Sequence, residues 1–84
     1  MFVNLDLSRI VEARGEATWR DVARKMRAVG MTGTHWTWVE MAERGLLAPS
    51  ERVATAYAAA LGVGLSEIVW RDPAVVRDLR PVAS

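Results

Sequence analysis

No proline occurs before Pro49, and the apolar residues recur three and four apart rather than alternately. Proline is the strongest helix breaker and alternation is the mark of a half-buried strand, so this pattern confines the chain to helices joined by short turns. Its 84 residues supply one core and not two. With 51% hydrophobic and 25% charged residues, the balance is that of a folded domain rather than a disordered segment. The absence of cysteine excludes a disulfide framework, a thiolate zinc site and a cysteine nucleophile, and it is compatible with a reducing cytoplasm. The start, MFVNLDLSRI, lacks a basic flank and a long apolar run, so neither a signal peptide nor a membrane span is expected.

Leu7, Ile10, Val11 and Arg14 share one face of a first helix over about residues 5–14, closed by Gly15. Thr18 with Asp21 three residues later forms a capping box and opens a second helix, with Val22, Ala23 and Met26 inward and Arg20, Arg24 and Arg27 on the other side. The stretch VGMTGT breaks the chain, and a third helix over about 33–44 ends at Gly45. Pro49 and Ser50 introduce a fourth, on which Val53, Ala54, Tyr57, Ala58 and Leu61 form one stripe before Gly62. Its alanines let neighbouring backbones approach closely. Ser66 caps a fifth helix carrying Ile68, Val69 and Trp70. The expectation is an all-α, compact five-helix bundle over residues 1–72, then a tail over 73–84 that is a short helix or partly disordered.

Net charge is only +1, but the stretch from Arg9 to Arg27 carries an excess of positive charge, and Lys25 is the only lysine in the chain. There is no glycine-rich phosphate loop, no nucleophile elbow and no carboxylate pair with a plausible pocket. A chain this small also lacks room for an ordinary cofactor cavity, so no enzyme and no cofactor or small-molecule ligand is expected. The single histidine, His35, has no carboxylate or thiolate cluster around it in sequence, so no metal site is expected either.

From Glu43 onward the chain reads ERG, a proline four residues after the glycine, then SERVATAYAAALGVGLSEIV. This resembles the second half of the Cro and lambda-repressor-like (XRE-type) helix-turn-helix family, without a gap from Glu43 to Ile68. ATWRDVARKM is similar to that family's second helix, with Thr18 as its cap and Val22 and Ala23 as its apolar pair. Between Ala23 and Glu43 the chain carries about three residues more than the usual family spacing, which leaves two turn registers: Gly30 with Thr32, or Gly33 with Thr34. Where the family commonly has a glutamine that contacts phosphate and braces the recognition helix, this chain has Trp19, with a single N–H donor.

The resemblance implies a lambda-repressor-like helix-turn-helix domain. It would be a sequence-specific double-stranded DNA-binding transcriptional regulator of bacterial, phage or mobile-element origin, working in the cytoplasm. It would bind as a homodimer on a pseudo-palindromic operator, with the third helix in the major groove. With Trp36 and Val39 assigned to the core, Thr34, His35, Thr37, Trp38 and Met41 become the candidate base readers. Arg20, Arg24, Arg27, Thr32 and Arg44 are the candidate phosphate contacts, and Trp70, Val75, Val76 and Leu79 the candidate dimer or partner contacts. The glutamate at the position of Glu43 is structural in that family, so Glu43 is expected to bond within the domain. Glu40 is exposed or paired with Arg44, and Leu46 and Leu47 pin the turn to the core. A reading from another class keeps the fold and drops the DNA: a protein-interaction module or accessory factor that uses an outward Trp38 and Met41.

Overall fold

The computed structural model describes residues 2–69 as four α-helices and one short 3-10 turn. The helices are α1 (Leu7–Arg14), α2 (Trp19–Ala28), α3 (Trp36–Glu43) and α4 (Glu51–Leu61). No strand forms among the described residues; isolated antiparallel bridges join Phe2 to Ser50 and Leu5 to Val69. The expected fifth helix is a single 3-10 turn, Leu65–Glu67. Its backbone is claimed elsewhere, because Asp6 N–H donates to the Ile68 carbonyl at 2.8 Å and Val69 pairs with Leu5, and neither bond leaves room for another helical turn. The domain boundary at residue 72, the tail, and the candidates Trp70, Val75, Val76 and Leu79 lie outside the described residues.

Local chemistry sets the helix ends. Thr18 Oγ1 accepts from Asp21 N–H and Asp21 returns the bond to Thr18 N–H, both at 3.1 Å, which completes the capping box. Ser50 caps α4 by accepting from Val53 N–H at 3.3 Å. Gly45 ends α3 at φ 72°, and Leu46 N–H reaches back to the Met41 carbonyl at 3.0 Å in the Schellman pattern. That bond turns Leu46 out to solvent, 69% exposed, while Leu47 alone packs against the core. The pinning role expected of both leucines therefore falls to one.

α3 starts two to three residues later than the spacing predicts. Gly30, at φ 109°, ends α2, and residues 29–35 then fold back on themselves, with Met31 N–H on the Met26 carbonyl and Thr34 N–H on the Met31 carbonyl. Arg27 Nη1 straps this loop by donating to the Thr34 carbonyl at 2.8 Å. Of the two registers, the left-handed glycine is Gly30, and the cap of α3 is neither threonine but His35.

Ile10, Val22, Ala23, Met26, Val39, Ala42, Tyr57, Ala58 and Ile68 form the core. α4 runs through its middle: Ala54, Ala56, Tyr57, Ala58 and Ala60 are all buried, and with methyl side chains at every one of these positions but Tyr57 the helix can be covered around much of its circumference. On α1 only Ile10 is buried. Leu7 and Val11 stay largely exposed, against expectation, because so short a helix presents one turn to the core, and Leu7 instead leans over Gly45.

Candidate nucleic-acid interface

Trp19 is the first residue of α2 and Trp36 the first of α3, and an aromatic at such a position extends beyond its own helix end. Their indoles lie parallel within 2°, with ring centroids 6.2 Å apart, so the two helix N-termini are held side by side. The guanidinium of Arg14 lies over the Trp19 ring at 5.9 Å and that of Arg20 over the Trp36 ring at 5.7 Å. Trp19 thus braces α3 through its aromatic face and not through a polar contact. Trp36 packs against the core, as the sequence assigns it, but is half-buried and also borders a surface depression of about 320 Å³ with Thr18, Trp19 and Arg20.

Trp38 does not stand fully outward: half-buried, it meets the buried Tyr57 ring edge-on at 5.2 Å and packs against the core, as Trp36 does. On an eight-residue helix whose buried residues are Val39 and Ala42, Trp36 lies one turn before Val39 and Trp38 one turn before Ala42, so each indole covers one side of the core and keeps part of its surface in solvent. Met41 remains outward, 41% exposed.

His35 and Thr37 are tied together at the start of α3. The His35 Nδ1 accepts from Thr37 N–H at 3.3 Å and sits 2.9 Å from the Thr37 hydroxyl, which leaves the ring proton on Nε2 facing outward as a donor. His35 also lines a second depression, about 570 Å³, between residues 30–35 and the start of α4, with Thr32, Thr34, Trp38 and Arg52. The first turn of α3 borders both depressions, through Trp36 on one and Trp38 on the other. Arg52 belongs to this surface and no sequence signal singled it out. Among the described residues no group of three or more His, Cys, Asp or Glu side chains gathers that would hold a metal ion.

The candidate phosphate contacts divide by what already holds them. Arg24 pairs with Asp21 at 3.3 Å and Arg44 with Glu40 at 2.7 Å, both largely exposed and so worth only about 0.2–1 kcal/mol each. Arg27 is committed to the Thr34 carbonyl. Thr32 is exposed on the loop. Arg20 has no acidic or hydrogen-bonded partner among the described residues, only the Trp36 face. Asp21 is held below its ordinary range first by the Thr18 N–H and then by the Thr18 hydroxyl, with Arg24 and Lys25 adding to this.

Behind the interface, Arg14 joins three helices. Its guanidinium pairs with Glu43 at the end of α3, donates to the Ala17 carbonyl at 2.7 Å before α2, and stacks on Trp19. The expected internal role of Glu43 is met by this partner on α1. Tyr57 lies beneath, its hydroxyl pushed far up by burial and then by the nearby Glu43 charge.

No family model, no curated protein and no solved structure matches the chain. Among the described residues no helix is long and apolar enough to cross a membrane.

Proposed function

We propose that this all-helical domain binds double-stranded DNA, presenting the start of α3 to the major groove, and acts as a dimeric transcriptional regulator on a two-fold site. The observation that carries the reading is the Trp19–Trp36 stack, which sets the N-termini of α2 and α3 together beside the guanidinium of Arg20, unpaired among the described residues. The Asp21 carboxylate occupies the first turn of α2 and pairs with Arg24, so the local anion-attracting edge is the α3 N-terminus, which carries roughly half a positive charge and no acid in its first turn, with Arg20 beside it, on a chain of net charge only +1. Arg24 supports the same edge, since an exposed pair this weak exchanges readily for a phosphate. Thr34, His35, Thr37 and Met41 remain the base-reading candidates, with Trp38 half-buried behind them, and Arg20, Arg24, Thr32 and Arg44 the phosphate candidates, Arg27 being committed to the Thr34 carbonyl.

Selection of bound duplexes from a random pool, followed by titration of the winner at several salt concentrations, tests the proposal. A two-fold-symmetric motif is expected, with affinity falling steeply as salt rises. Arg20→Ala should weaken binding on every sequence and reduce the salt slope by about 0.9 for each phosphate charge left without its cation. A pool without enrichment refutes the reading. It would favour a protein-interaction module, for which the exposed Phe2, Leu7 and Leu46 are the supporting observation, Trp38 being half-buried.

A further inference from the structure

The depression walled by Thr18, Trp19, Arg20 and Trp36 is the most apolar feature on the edge assigned above to DNA, and it is poor in acceptors. Thr18 Oγ1 is already accepting within the capping box, and the Trp19 Nε1 is buried beneath the surface. What remains is indole carbon, with the Arg20 guanidinium and the Trp36 N–H as side-chain donors. With only the second lone pair of the Thr18 hydroxyl left to accept, such a surface offers little to the amino groups that adenine and cytosine present in the major groove. Guanine offers acceptors only and would leave the carbon walls unused. Thymine presents one acceptor and a carbon group, its 5-methyl, side by side. The positive start of α3 and Arg20 favour a neighbour that carries phosphate over a neutral apolar chain.

From this we infer that Trp36, held flat by Trp19, is a specificity-determining residue that receives the methyl edge of a thymine, with Arg20 on an adjacent phosphate. The inference rests on the DNA-binding reading and adds a base preference and its physical origin. It also adds to the base-recognition candidates Trp36, which the sequence pattern assigns to the core alone.

The test replaces thymidines of the selected duplex one at a time with deoxyuridine, which keeps the pairing edge and removes only the methyl. One position in each half-site should lose affinity about four-fold, the effect of one methyl taken out of an apolar contact. Trp36→Ala should bind the thymine and uracil duplexes equally. The first measurement uses the unaltered protein and does not depend on the variant folding. An enriched duplex indifferent to every methyl overturns this inference alone, as does a variant that keeps the same sensitivity. A pool in which nothing is enriched overturns it together with the DNA reading.

Discussion

Replacing Glu43 by glutamine should test whether Arg14 joins α1, α2 and α3 as described. The change keeps shape and removes the carboxylate, leaving the Arg14 guanidinium beside a neutral partner; the two side chains are 21% and 7% exposed. Breaking a fully buried pair by removing one partner costs about 3–5 kcal/mol. This site is shallower, since Arg14 keeps some solvent, its bond to the Ala17 carbonyl and the Trp19 face, so the expected loss is about 2 kcal/mol. An 84-residue domain is stable by roughly 4–13 kcal/mol, so the loss is a substantial share and should lower Tm by roughly 8–16 °C. Urea unfolding and thermal melts followed by far-UV circular dichroism measure both quantities. The combined change of Arg14→Met with Glu43→Leu should recover most of the loss, because two apolar groups leave no stranded charge. A single-variant loss under about 0.5 kcal/mol, or a double variant no better than the single one, would refute the reasoning.

Tyr57→Phe should change stability at neutral pH by less than about 1 kcal/mol, since the buried hydroxyl has no hydrogen-bond partner among the described residues. Because its folded-state pKa is raised, the native protein should lose stability as pH climbs past the ordinary tyrosine value of 10.0, where only the unfolded chain ionises; the phenylalanine variant should lose less in urea titrations on either side of that pH. Thr18→Ala should cost about 1 kcal/mol by removing the α2 cap, and NMR titration should show the Asp21 carboxyl moving back toward its ordinary value of 3.8. Since the Asp21 pKa is depressed in the fold, its contribution is present above that value and is lost as pH falls through the folded pKa.

What was legible in the chain is what is decided within three or four residues. The Thr18–Asp21 box, the Ser50 cap and the left-handed Gly45 and Gly62 all follow from local backbone chemistry, and each stands where the sequence puts it. The internal tie of Glu43 was also legible, but not its partner Arg14, which lies two helices and two connections away in the chain. Where two candidates of one kind compete, local pattern is silent. Trp36 and Trp38 are two residues apart on one short helix, and their faces are decided by what stands opposite: Tyr57 takes the edge of one, Trp19 the face of the other. The fifth helix gives way for a similar reason, because Leu5 and Asp6, from the far end of the chain, hold Val69 and Ile68. Arg27 looks like any solvated arginine on a polar face until its strap to Thr34 is seen.

The parallel indoles of Trp19 and Trp36 have an optical consequence. Their transition dipoles are near enough to couple, and such coupling falls as the inverse cube of separation, so the near-ultraviolet circular dichroism of this pair is a gauge of the spacing between the starts of α2 and α3. Trp38, half-buried at right angles to Tyr57, contributes a separate band that follows the packing of α3 on α4. Light absorption can therefore distinguish an α2 start that parts from α3 at Trp19, which dims one signal and spares the other, from a domain that loosens throughout, which dims both.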